Sequence, residues 1–496
     1  MRLLVVIVLL AALSAASAAS AAAPSAVSTF HSIGLYWSPE GGSDSNAARV
    51  QFRPAGSSEW RQGLDLWFDA RNNEYRGSLV ELEPGTSYEV RLALASGQQE
   101  ILKTQTWSEK FPIRKTVQVA AGKRLVIKPD DSGDEKGYVL FTAPAGQNVI
   151  DGNDTDDACV VIQQGAHHVI VRGLVLKDCK RYGVLIQRQG GDKEASGAAQ
   201  TTDVVIEGNE ISGWGGYEIQ KPNSRLADSD GAIHCNYYRE KDDAKRPDRI
   251  IVQGNRIRDP RHSANPWQSE AHGHMHPYGP LGMMFDRCGS NHVIRYNEIG
   301  SKNGNRFKDG IGGADNFSAA GFPWADSDIY GNRIAEVYDD GIEAEGGNRN
   351  VRIWNNHLKH VYVAIANATV ATGPIYVWRN VAEGMARMYQ PEGFARKDQR
   401  GPFIKAGSKR PEVNGGRAYY FHNTGPDAGA GIARSGGPAY NFVARNNKWP
   451  ASRVNPADGP FDLKEGRSGE IPNFSDRDAS AIRSGASGYR ADRPGG

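Results

Sequence analysis

Two textures of apolar and polar alternation divide the chain. Over residues 28–108, short segments alternate with period two and are broken by turns: SIGLYWSP, AARVQFRPAG, YRGSLVEL and SYEVRLALAS. Strands this short and evenly spaced predict an antiparallel β-sandwich over 26–108. From about Thr116 the pattern becomes a repeat. VVIEGNEI, IIVQGNRI, VIRYNEI, DIYGNRI, VRIWNNHL, IYVWRNV, AYYFHNT and NFVARNN are each β-rich and end in a turn at Asn. Those Asn stand at 209, 255, 297, 332, 356, 380, 423 and 446, so the basic interval is 23–24 residues and the longer ones carry insertions. A period of that size without helical periodicity predicts an all-β coil, a right-handed parallel β-helix over 116–455 with about ten rungs stacked about 4.8 Å apart. The recurring Asn suits an amide ladder or left-handed turns.

A second strand recurs after each turn: YGVLIQ, DGAIHC, LGMMFD, DGIGGA, DGIEAE, VAIANA and PFIKAG. Alternation points its apolar third position inward (Val184, Ala232, Met283, Ile311, Ile342, Ile365, Ile404) and the fourth and sixth outward. The outward ladder then holds Asp286, Glu343, Glu345 and, two rungs after Glu343, Lys405. Long insertions at Trp214–Asp228, Pro260–Pro280 and Ala386–Arg400 flank these rungs, and loops of that length in a compact repeat carry function.

Composition narrows the class. Lys and Arg number 59 against 57 Asp and Glu, a net charge of +2, which excludes a nucleic-acid binder held by a general basic field. Arg2, the apolar run Leu3–Leu13 and the small-residue stretch that follows read as a secretory signal peptide over 1–22, cut between about Ala18 and Ala22. That run is too short to span a bilayer, so export without membrane insertion is expected. Four cysteines (159, 179, 235 and 288) with no metal-ligand spacing suit one or two disulfides in an oxidising compartment. The polar, Gly-rich tail over 456–496 has no assigned role.

The densest polar chemistry is YDDGIEAEGG, with Asp339, Asp340, Glu343 and Glu345, and with Asp309 and Asp315 one rung earlier. Crowded carboxylates need a cation or a shared proton. They can therefore hold a hard cation such as Ca²⁺, or divide into the general acid and base of a glycosidase. Asp-Gly pairs that merely turn account for Asp230 but not for Glu343 or Glu345. The histidines His272, His274 and His276 beside Glu270 are expected on a substrate-facing loop, with Trp267 and Tyr278 stacking on sugar rings. Lys302, Arg306 and Lys308 are expected to pair with carboxylates of an acidic polysaccharide.

Two resemblances add to this. Trp37 and LEPGTSYEVRLAL (Leu82–Leu94), with Tyr88 as a tyrosine corner, resemble a fibronectin type III module over about 80 residues. The rung pattern resembles the pectin-lyase-like superfamily of right-handed parallel β-helices. Within it, DDGIE looks like the Asp-Asp-Gly-x-Asp calcium motif of family 9 pectate lyases, with Glu343 in place of the final Asp. That resemblance implies Ca²⁺ ligands at Asp309, Asp339, Asp340 and Glu343. It also implies Lys405 as the base of a β-elimination on a uronate glycan. Hydrolysis, with Glu343 or Glu345 paired to Asp309 or Asp340, is the alternative. A non-catalytic glycan-binding surface protein is a third.

Overall fold

A computed structural model describes residues 22–188, 199–216, 230–238, 240–267, 276–385 and 400–464. Within them the chain is built from strands, with a few single-turn 3₁₀ segments. It opens as two four-stranded antiparallel sheets. Strand Ser87–Leu94 shows why: Tyr88, Val90, Leu92 and Leu94 are buried and their neighbours are not. They close on Ile33, Leu35 and Trp37 of the facing sheet. The Tyr88 hydroxyl accepts the Glu83 backbone N–H at 2.9 Å, which pins the turn before its own strand. The first strand among the described residues is Ala22–Ser28.

The rest is a parallel β-helix whose rungs contribute to three faces. One face is a twelve-stranded parallel sheet running from Ile113–Gln118 to Asp462–Leu463. Its twelve strands accord with the expected coil of about ten rungs. A second face stacks the short strands that follow each Asn, such as Glu210–Ser212, Arg256–Arg258 and Glu298–Gly300. The third, called here the site sheet, stacks Tyr182–Gln187, Gly231–Asn236, Leu281–Asp286, Ile311–Gly312, the ends of Arg333–Glu343 and His357–Asn367, and Pro402–Ala406.

Inside, Val184, Ile233, Met283, Ile311, Ile342, Ile365 and Ile404 lie in one register column. Six of the seven expected inward residues are in it. The seventh is Ile233 rather than Ala232, because Gly231 and not Asp230 aligns with Leu281. Asn amides run through the coil as well. Asn332 Nδ2 donates to Asn356 Oδ1 at 3.0 Å and to the Ile294 carbonyl at 2.9 Å, and the same pairing joins Asn209, Asn255, Asn297, Asn380 and Asn423. The last member is Asn447, not Asn446. The residue before each ladder Asn takes the left-handed conformation, as do Gly331, Asn355 and His422, and in the Asn-Asn pair Asn446 fills that turn. Disulfides Cys159–Cys179 and Cys235–Cys288 brace the early rungs.

The sandwich docks on the twelve-stranded face. There Phe30 and Leu64 cover an outward aromatic column in which Tyr330, Trp354 and Trp378 stack at 4.2 and 4.7 Å. Tyr36 donates to Asp326 Oδ2 at 2.7 Å, and Arg76 Nε donates to the Gly373 carbonyl at 2.8 Å. These contacts fix the module on a different face from the one carrying the acids.

Candidate active site

Three neighbouring rungs converge on one patch of the site sheet. Asp309 opens the rung of Ile311, and its Oδ1 accepts the Asp340 backbone N–H at 3.1 Å. The next rung is the eleven-residue strand Arg333–Glu343, which turns a corner without a break. Its register shifts between Val337 and Asp340. Such a bulge takes two consecutive residues out of strict alternation, and so Asp339 and Asp340 enter one cluster. Glu343 and Glu345 follow on the same outward side. One carboxylate oxygen each from Asp309, Asp339 and Asp340 lies within 4.8 Å of the others, and the same holds for Asp340, Glu343 and Glu345. None of the five residues is more than 5% exposed.

Lys405 lies two rungs on, in register with Ala366 and, through it, with Glu343. The small side chain at 366 leaves room for the lysine to lean back. Its Nζ reaches Asp340 Oδ2 at 2.6 Å and Glu345 Oε1 at 3.3 Å. Lys308 Nζ lies 3.3 Å from Asp309 Oδ2. Asp339 is met from the other side: the Trp267 indole N–H donates to Oδ1 at 3.0 Å, and His276 Nε2 stands 3.2 Å from Oδ2. His276 Nδ1 lies 2.8 Å from the Pro277 carbonyl, which can only accept, so Nδ1 carries a proton. The Nε2–Asp339 contact is then attractive only with one further proton, held by either partner. Asn316 Nδ2 donates to Glu343 Oε1 at 2.9 Å, and the Ala368 N–H to Glu345 Oε1 at 3.1 Å. Asp340 Oδ1 and Glu343 Oε2 are buried with no hydrogen-bond partner among the described residues.

Burial sets the protonation of this cluster. It raises Asp339, opposed first by Lys405. Asp340 is pushed well above the usual carboxylate range by burial and then by the Asp339 charge. Glu343 is pushed well up by burial and then by Asp309. For Lys405, burial favours the neutral amine, but Asp340, Glu345, Asp339 and Glu343 together override it and hold the lysine protonated well above its ordinary value. Asp339, Asp340 and Glu343, all raised by burial, therefore keep protons as a group.

Of the expected substrate-binding residues, Trp267, His276 and Lys308 are at the cluster. Tyr278 stands one ring away from it, against His276 at 5.7 Å. His272, His274 and Glu270 lie outside the described residues. Arg306 is turned elsewhere: its Nη2 pairs with Glu336 Oε2 at 2.8 Å, and Glu336 is shared with His360. Lys302 is exposed on the neighbouring face, beside Arg333 and Lys359. Asp315 binds Arg287 at 2.6 Å and does not join the acids, and Asp230 is held by Arg181 and the Gly216 N–H. The expected Ca²⁺ set Asp309, Asp339, Asp340 and Glu343 divides between the two triplets that share Asp340. Sequence reasoning missed Asn316 and Tyr362, the latter 6.0 Å from Trp267 ring to ring. Neither belongs to a repeat position or motif that would have singled it out.

No protein-family model matches the chain, and no curated protein matches it. Among solved structures, the chain is similar to the catalytic unit of a thermostable GH87 alpha-1,3-glucanase from Streptomyces thermodiastaticus strain HF3-3. Identity is 12% and the TM-score 0.34, over 89% of this chain and 87% of that one. The catalytic domain of a GH87 alpha-1,3-glucanase in complex with tetrasaccharides is similar at 10% identity and a TM-score of 0.36, over 90% of both chains. The Agl-KA catalytic domain is similar at 10% identity and a TM-score of 0.29, over 86% of this chain and 76% of that one.

Proposed function

We propose that this chain is an exported glycoside hydrolase that cleaves a polysaccharide laid over the site sheet. The observation that carries the reading is the convergence of five buried carboxylates with fewer cations than charges. Such a group holds a proton on one acid while another stays ionised, which is what glycosidic cleavage asks of its acid and base. Lys405 gives Asp340 and Glu345 a counter-charge at 2.6 and 3.3 Å that favours an ionised carboxylate beside it, against the burial that raises Asp340. Among the described residues Glu343 makes no ion pair and has one oxygen without a partner, and burial raises it, so it is the acid best suited to keep its proton and donate it to the leaving oxygen. Trp267 and His276 orient Asp339 and edge the groove. The leader pattern and two disulfides support export.

The same convergence supports a second reading, Ca²⁺-assisted β-elimination. Asp309, Asp339 and Asp340 present the oxygen donors a hard cation takes, and a bound Ca²⁺ would supply neutralising charge there. What disfavours it is Lys405. A lysine base must shed its proton near neutrality, and this one is held protonated by its carboxylate neighbours. Incubation with a glycan panel separates the two. Hydrolysis yields new reducing ends without the ultraviolet absorbance of an unsaturated product; elimination yields both.

A further inference from the structure

At the C-terminal edge of the site sheet, on the far side of loop 313–322 from the acids, a cleft of about 390 Å³ is lined by Asp243, Arg246, Arg287, Asp315, Trp324 and Arg349. The loop joins the two places. Asn316 reaches Glu343, while its neighbours Asp315 and Ser318 line the cleft. Arg287 is satisfied by Asp315 at 2.6 Å. The other two arginines are satisfied only in part among the described residues. Arg246 is only 6% exposed: its Nη2 donates to the Glu240 carbonyl at 3.2 Å and its Nη1 pairs with Asp243 Oδ1 at 3.1 Å, while its Nε makes no hydrogen bond among the described residues. Arg349 Nε is likewise buried without a partner. The guanidinium groups of both face the Trp324 ring, at 5.4 and 5.7 Å from its centroid. Two further acids stand nearby: Asp286, buried beside Arg246 and Arg287, and Glu240, which pairs with Arg188.

Buried guanidinium donors left open beside a cleft call for an acceptor, and an oxyanion meets them in the paired geometry arginine favours. An indole between them offers a flat apolar face for a sugar ring. We propose that this cleft is an anion subsite that takes a carboxylate or sulfate ester carried by one sugar unit of the glycan. The inference rests on the hydrolase reading for the identity of the polymer, but the subsite binds whether or not the chain cleaves.

The test titrates the full chain carrying Asp340→Asn with glucuronate, glucose 6-sulfate and glucose, by calorimetry. At least one anionic sugar is expected to bind tenfold or more tighter than glucose, and which one does so identifies the substituent. Arg246→Gln and Arg349→Gln are each expected to weaken that anion fivefold or more and to leave glucose unchanged. Equal affinity for all three sugars, no binding of either anion, or anion binding unchanged in both variants would overturn the subsite. Should Arg246→Gln not fold by thermal melting, half-buried Arg349→Gln decides alone. Anion binding without cleavage of any glycan would count against the hydrolase reading only. Cleavage confined to neutral glycans, without anion binding, would count against the subsite only.

Discussion

The ammonium of Lys405 lies 2.6 Å from Asp340 Oδ2, and this contact bridges two rungs across the small side chain of Ala366. It makes the lysine the fixed counter-charge of the acid cluster. Lys405→Met should therefore abolish cleavage and also destabilise the fold by about 3–5 kcal/mol, the cost of stranding a buried partner. Denaturant unfolding checks the second effect. A lysine serving only as a proton acceptor would lose activity with little change in stability.

Asp340→Asn and Glu343→Gln should each lower turnover by about 10²–10⁴-fold, the range general acid–base groups contribute; melting stays within a few degrees of the parent for Glu343→Gln and falls for Asp340→Asn, which takes a charge partner from Lys405. Arg306→Gln is the control. Its partner is Glu336 rather than the groove, so turnover should change by less than about twofold, which is too small to count as lost acid–base catalysis. Steady-state release of reducing ends measures all three.

Stability should respond to pH through two buried groups outside the acid cluster. Burial, followed by the nearby Asp315 charge, raises Asp286 to about 7. An acid raised in the fold binds more protons folded than unfolded, so its contribution is present below about pH 4 and is lost as pH rises through about 7. His292, lowered to about 4 by burial, works oppositely: its contribution is present above about pH 6.5 and is lost as pH falls toward 4. The two oppose each other below about 6.5. Asp286→Asn should thus raise the melting temperature at pH 8, where the charged form costs of order 4 kcal/mol, and have little effect at pH 4.5.

The amide ladder should be cooperative. Asn332→Ala removes the Oδ1 that accepts from both the backbone and the side chain of Asn297, and the Nδ2 that satisfies the Ile294 carbonyl. Each stranded buried group costs about 1–3 kcal/mol, so a loss of about 3 kcal/mol or more is expected. Asn446→Ala, at a turn outside the ladder, should cost less, through its left-handed backbone alone. Equal losses in equilibrium unfolding would remove the ladder from the account.

Much of this architecture was legible because a coil repeats. The inward apolar column and the Asn interval are periodic, and periodicity is what a sequence displays. The errors fell where periodicity is locally broken. Asn446 and Asn447 are chemically identical, and only the left-handed turn distinguishes them. Ala232 gave way to Ile233 because one residue separates Asp230 from its apparent equivalents. At the site, the outward placement of Glu343 and Lys405 followed from alternation, but the meeting of Asp339 with Asp340 depends on a bulge that no pattern announces. Arg306 looked like a groove cation by proximity in sequence; its Glu336 partner sits on a strand from the next rung. Pairings of this kind arise between rungs, and a one-dimensional reading does not contain them.

The central claim is that the buried acids hydrolyse a glycosidic bond without a lysine base. It is tested most directly by incubating the full chain with a panel of neutral polysaccharides and polyuronates, with and without chelator. Reducing ends and ultraviolet absorbance are followed together. Reducing ends are expected without unsaturated product, unaffected by chelator and lowered about 10²–10⁴-fold by Asp340→Asn. Unsaturated product that disappears with chelator would contradict it, as would the absence of cleavage on every glycan.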